Sequence, residues 1–175
     1  MDRLLQDALD AIHSATDRMD SAQLSRHPEG KWSAAEILEH LSITFGTTCH
    51  VLQRSLDSGK PAVSPATLYQ RLATILVVSL GIFPEGRKAP AFSVPKGIGP
   101  EESLKAIRQN LAAMDEVISQ CEARFGARQK VASHVVLGPL STQQWRKFHL
   151  AHTRHHMKQI ARLRALQQAE SQSSS

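Results

Sequence analysis

Four histidines crowd one short stretch of this chain: His149, His152, His155 and His156, between Trp145 and Ile160. At about 100° per residue along a helix, Trp145, Phe148, His152, His156, Ile160 and Leu163 fall on one side. That side is expected to face a core. His152 and His156 stand one turn apart, so their rings can converge on a single point. Two imidazoles in an apolar interior are a problem for stability. Each has two ring nitrogens that need partners, and two adjacent charged rings repel. A divalent metal removes the conflict by binding one nitrogen of each ring, while the other donates to a nearby acceptor. Histidines at this spacing are a common way for a helix to present two metal ligands. His149 and His155 flank the stripe at its two edges, where supporting or surface roles are expected.

The third candidate ligand is His40, in Glu36-Ile37-Leu38-Glu39-His40-Leu41. It lies at the margin of an apolar helix face, one turn from Thr44. Its weight comes from the ability of an antiparallel bundle to set that helix against the last one. Thr44 and Thr48 are small and polar at inward positions, as expected of residues lining a cavity. Trp145 and Gln159 complete the set expected to line the pocket or support the ligands.

Five helices are expected to position these residues. Leu4, Leu5, Ala8, Leu9, Ile12, Ala15 and Met19 recur at three- and four-residue steps and mark the first. After a break at His27-Pro28-Glu29-Gly30, Ser33 and Glu36 form a capping-box pattern, with Trp32 and Ile37 as its hydrophobic staple. This second helix should turn Ile37, Leu41, Thr44, Thr48 and Leu52 inward. A third is expected from about Ala66 to Ile82, with Leu68, Leu72, Leu76 and Leu80 inward. Phe83 to Pro100 is rich in Pro and Gly and reads as a long ordered loop, able to form a wall or lid over a site. The fourth helix should span Glu101 to Arg124, closed by Gly126. A second irregular stretch, Ala127 to Leu140, shows no firm strand pattern; residues 131–137 are at most briefly extended. Ser141 and Gln144 then open the fifth helix, expected to reach about Gln168. The fold class is all-α: a single bundle over residues 1–168, two long loops, and a frayed polar tail over 169–175.

The chain of 175 residues is long enough for one sizeable core. Its two cysteines, Cys49 and Cys121, are far apart within apolar helical patterns, so both read as small buried hydrophobes. Such usage suits a reducing compartment. The N-terminus lacks an apolar segment of signal-peptide length, and the most apolar run, Ile75 to Phe83, is far too short to cross a bilayer. A soluble, cytoplasmic protein without a membrane partner is expected. The formal charge is +5, but Arg and Lys are scattered over every segment. The densest group, Arg146, Lys147, Arg154, Lys158, Arg162 and Arg164, is explained by the solvated face of the last helix, so no nucleic-acid partner is expected.

Trp32-Ser33-Ala34-Ala35-Glu36-Ile37-Leu38-Glu39-His40-Leu41 resembles the second-helix motif of the DinB-like metal-binding superfamily. The run His134 to Ser141, followed by Trp145 and His152-Thr153-Arg154-His155-His156-Met157-Lys158-Gln159-Ile160, resembles its C-terminal motif. The resemblance spans most of the chain in helix order, although the motif residues occupy only two stretches. It implies a DinB-like four-helix core and a three-histidine site for zinc or nickel, with His40, His152 and His156 at the ligand positions. It also implies a homodimer. Relatives include bacterial proteins described as metal-dependent hydrolases, and are not generally DNA-processing enzymes. One departure is Val135, which follows His134 where the motif has Pro.

Three neutral histidines leave a divalent ion with an open position, the layout of catalytic and not of structural zinc sites. An ion held so lowers the pKa of bound water towards ~7 and can polarise a carbonyl or activate a thiolate. Two enzyme readings follow: a small-molecule hydrolase, or a thiol-dependent transferase using a low-molecular-weight thiol. The alternative is non-catalytic, a metal-stabilised binding or stress-response protein. A general base is not evident. Glu39 points about 100° away from His40 and reads as a surface residue, Glu36 is the cap partner, and His134 and Tyr69 are the remaining candidates to reach the cavity.

Overall fold

A computed structural model describes residues 1–27, 29–84 and 88–173. Its helices are α1 (Arg3–Thr16), α2 (Ser21–Ser25), α3 (Ala34–Ser58), α4 (Leu68–Thr74), α5 (Pro100–Phe125) and α6 (Thr142–Ser173). Between α5 and α6 lies an antiparallel hairpin, β1 (Lys130–His134) and β2 (Gly138–Ser141). The mainly helical class expected from the periodicity is therefore the observed one. No helix among the described residues is long and apolar enough to cross a membrane.

Four long helices build the core, and α3 packs along α5 as α1 packs along α6. α3 begins where the capping box requires. Ser33 Oγ accepts from the Glu36 amide at 3.2 Å, and Glu36 accepts from the Ser33 amide at 2.8 Å. Its end is Gly59, in the left-handed conformation at φ +70°. Leu38, Leu41, Phe45 and Leu52 face inward from α3 and meet Ile107, Leu111, Met114 and Ile118 of α5 in one apolar cluster. Leu5 and Ile12 of α1, with Trp145, Ile160 and Leu163 of α6, belong to the same cluster. Phe45, absent from the expected inward set, is fully buried in this cluster; Thr44 is half-buried and donates to the Leu41 carbonyl of its own helix.

Three elements differ from the sequence expectation. α2 is an additional turn of helix, opened by a reciprocal capping box between Asp20 and Gln23. The third expected helix is shorter: α4 passes into a single π-helical turn, Ile75–Ser79. Instead of facing inward, Leu68, Leu72 and Leu80 are 74%, 60% and 63% exposed, while Val77 and Val78 are buried. The wide turn takes up an extra residue and rotates the side-chain register, which a constant 3.6-residue projection cannot follow. The α4 segment also packs on the hairpin, and Ala73 is its contact with the core cluster. Thr74 Oγ1 donates to the Leu137 carbonyl at 2.7 Å. A Cβ at Gly138, φ +72°, would come within 3.0 Å of the Gln70 side chain, so this crossing needs glycine.

The hairpin is the third difference. Val131 and Ala132 are successive buried residues beside a bulge, so the alternation that would announce a strand is broken. Non-local partners hold it: Ser55 Oγ donates to the Val131 carbonyl at 2.7 Å, and the Ser133 amide donates to the Ala62 carbonyl at 3.2 Å. α6 itself runs to Ser173, beyond the expected end near Gln168. Of the segment read as a polar tail, residues 169–173 are helical, and Ser174 and Ser175 lie outside the described residues.

Candidate metal centre

α3 and α6 bring three imidazoles together in the interior. His152 Nε2 lies 3.0 Å from His156 Nε2 and 3.4 Å from His40 Nε2. All three rings are buried, with one nitrogen from each within 4.8 Å of the other two. The far nitrogens show which tautomers are present. His40 Nδ1 lies 2.7 Å from the Ser93 carbonyl, which can only accept, so that nitrogen carries the proton. His156 Nδ1 lies 2.8 Å from Gln159 Oε1 and donates in the same way. Both Nε2 lone pairs are thereby aimed at His152 Nε2.

A single proton on His152 could serve only one of these two short contacts. A cation at the point of convergence satisfies all three nitrogens at once. Zinc–nitrogen bonds of about 2.0–2.1 Å in tetrahedral arrangement place ligand nitrogens roughly 3.4 Å apart. The observed 3.0 and 3.4 Å fit such a donor set. Burial also keeps the rings neutral, the form that binds metal. It pushes the His156 pKa down to about 3, with help from the neighbouring His40, and holds His152 well below the usual histidine range. For His40 burial outweighs the opposing effect of the Ser93 carbonyl, and its pKa is lowered too.

Aromatic rings enclose the cluster. Phe148 stacks on His152 at 5.3 Å, and Phe83 stacks on His152 and His155 at 5.4 and 5.1 Å. Trp32 lies 5.2 Å from His40. Gln159 has two contacts: besides accepting from His156, its amide nitrogen reaches His155 Nε2 at 3.2 Å. Of the long segment expected as a wall or lid, Phe83 and the Ser93 carbonyl reach the cluster.

His149, expected at the edge of the stripe, is fully buried. Its Nε2 pairs with Thr48 Oγ1 at 3.0 Å, and its ring stacks on Trp145 at 6.0 Å. Glu39, read as a surface residue, is 2% exposed. The 100° that separates it from His40 turns it not to solvent but to the 96–98 backbone, whose amides it binds. A backbone partner leaves no side-chain signal in a sequence, and the nearest hint was the length of the Pro- and Gly-rich segment. His134 stands one ring removed from the cluster, 4.7 Å from Phe148, and its Nδ1 accepts from the Val136 and Leu137 amides. Tyr69 is 52% exposed on α4.

The family model of the DinB superfamily matches residues 4–160. The chain belongs to this superfamily. No curated protein and no solved structure matches it. The DinB match takes in α1 through most of α6 and includes all three clustered histidines.

Two other histidines of this DinB chain make its stability depend on pH. Burial lowers the His134 pKa to about 4, and burial together with the adjacent His134 lowers that of His149 to about 3. The unfolded chain takes up protons near pH 6.5, while the folded one resists them. Stability from these rings is therefore complete above about 6.5 and falls as the pH drops below it, by up to about 1.4 kcal/mol per pH unit for each ring. Urea unfolding of the metal-free protein should show a lower midpoint at pH 5 than at pH 7.5. His40, His152 and His156 add to this effect when no metal is bound, so an identical midpoint would mean that water reaches all five rings.

Proposed function

We propose that His40, His152 and His156 hold one divalent transition metal, zinc or nickel, and that the protein is a thiol-dependent transferase acting on a small molecule. The observation that carries this is a three-histidine donor set without a fourth protein ligand among the described residues. The nearest carboxylate by sequence, Glu39, is turned to backbone amides instead. When bound, the ion supplies a Lewis-acid position at which a thiol ionises near neutral pH.

Transfer is favoured over hydrolysis by what surrounds the ligands. Hydrolysis calls for a general base within hydrogen-bond reach of the attacking water. Here Glu39 is held by amides, His149 by Thr48 and His155 by Gln159. A thiol ionised at the centre needs none of them. The residues of the chain then hold and orient: Gln159 and the Ser93 carbonyl fix two ring tautomers, and Phe83, Phe148 and Trp32 pack apolar rings against the cluster.

Cobalt-substituted protein tests the open position. Addition of cysteine or 2-mercaptoethanol should produce a saturable thiolate-to-cobalt absorption band, and acetohydroxamate should compete with it. A cobalt spectrum indifferent to both would overturn the transferase reading and favour the non-catalytic, bundle-joining one. A thiol band without turnover on esters, amides or electrophilic acceptors would favour a binding role.

The homodimer implied by the family resemblance has a suitable surface. Leu68, Leu72 and Ile75 form a stripe at i, i+4 and i+7, and all are more than half exposed, as are Tyr69, Leu80 and Ile82. A standard interface takes about 800 Å² from each partner, and these six exposed apolar side chains, interrupted by Arg71, offer part of such a surface. We assign it to a second copy of the chain. Light scattering should report a dimer that Leu72→Glu converts to a monomer with its metal retained. A wild type that stays monomeric at every concentration refutes the assignment.

A further inference from the structure

We infer that Glu39 is a positioning residue for the metal centre, whose buried carboxylate clamps the segment that presents the Ser93 carbonyl to His40. This rests on the metal reading above, and adds to it a residue outside the donor set. The Glu39 oxygens accept from the Lys96 amide at 2.7 Å, the Gly97 amide at 2.8 Å and the Ile98 amide at 3.1 Å. Among the described residues no cation pairs with this carboxylate, and the three amides are its hydrogen-bond partners. A carboxylate in the interior is costly unless it is hydrogen-bonded. A site that needed only packing would be filled more cheaply by leucine or methionine.

The local backbone is shaped for this task. Three successive amides pointing at one oxygen pair form an anion-binding concavity. Gly97, at φ +91°, supplies the left-handed residue that turns them together. Four residues earlier, Ser93 is 1% exposed and sits in a tight turn, its amide and hydroxyl both donating to the Pro90 carbonyl at 2.9 Å. Its own carbonyl receives the His40 Nδ1 proton at 2.7 Å. Adjacent residues of α3 thus grip one segment at two points, and Glu39 provides the stronger grip.

The consequence is tautomeric. With the carbonyl in place, the His40 proton stays on Nδ1 and the Nε2 lone pair faces His152 and His156. If the carbonyl drifts away, the ring loses the partner that selects this tautomer, and the Nε2–H form cannot act as a ligand.

Glu39→Gln tests this, because its amide group places a donor where the backbone amides need an acceptor. Zinc affinity would be measured by competition with a chromophoric chelator. The His40 tautomer in metal-free protein would be read by long-range 15N–1H NMR. The expected result is a 10- to 100-fold loss of zinc affinity, the usual effect of removing a partner behind a ligand, and a mixed tautomer at His40. Gly97→Val disturbs the amide array while leaving the Glu39 charge in place. It should move both readouts in the same direction, and it carries the test if Glu39→Gln does not fold. Affinity within twofold of wild type together with a pure Nδ1–H tautomer would overturn the inference, even if the melting temperature fell. So would a loss confined to Glu39→Gln, which would point to long-range charge. A wild type that binds no zinc would sink the metal reading, while the tautomer comparison would still decide the role of Glu39.

Discussion

Protein purified without a histidine tag will carry about one equivalent of divalent transition metal, and the double variant His152→Ala/His156→Ala will carry none. His152 occupies the middle of the cluster, its Nε2 within 3.0 and 3.4 Å of the other two. Removing it with His156 leaves a lone His40 imidazole, which cannot retain an ion against water. The variant should keep its helical circular dichroism, because Trp145, Ile160 and Leu163 still anchor α6 in the core. Elemental analysis of both proteins decides the matter. Stoichiometric metal in the double variant would place the ion elsewhere and refute this centre.

Chelation of the wild type should lower its melting temperature by several degrees. An ion bound by the native state alone stabilises it by about 2.7 kcal/mol at a hundredfold excess over Kd and about 4.1 kcal/mol at a thousandfold. At about 2–4 °C per kcal/mol for a chain of this size, the loss is on the order of 5–16 °C. The location of the cluster supports a shift of that size: the ion would join α3 to α6, two of the four helices of the core. Its removal leaves Nε2 lone pairs from two helices confronting one another in a buried space. The double variant should be indifferent to the chelator. An unchanged wild-type curve after verified metal removal would refute the joining role.

Much of this centre is legible before any coordinates. The His152–His156 pair lies on an apolar stripe, Ser33 and Glu36 start α3 in the register that turns His40 inward, and Ser141 and Gln144 start α6. These features are local. Capping joins residues three apart, and helical periodicity places residues four apart on one side, so neighbours in the chain suffice to infer them. The failures are equally instructive. Leu68, Leu72 and Leu80 keep helical spacing and yet face outward, because α4 lies on the hairpin and the π turn after it shifts the register before Leu80. Val131 and Ala132 form a strand that their own pattern conceals, since Ser55 and Ala62 supply the partners from far along the chain.

Glu39 shows most clearly where the boundary falls. Helix geometry correctly turned it away from His40, but which surroundings it met there depended on a Pro- and Gly-rich segment more than fifty residues further on. The same holds for the Ser93 carbonyl behind His40 and for Phe83 over His152. The amino-acid order alone settles the helical class, the start of the two ligand-bearing helices and the presence of a histidine pair on an inward face. The convergence of the third imidazole, the burial of Glu39 and His149 and the proton on the outer nitrogens of His40 and His156 come from packing. Those features arise from contacts between distant segments, and their energies depend on burial and backbone partners that no local pattern encodes.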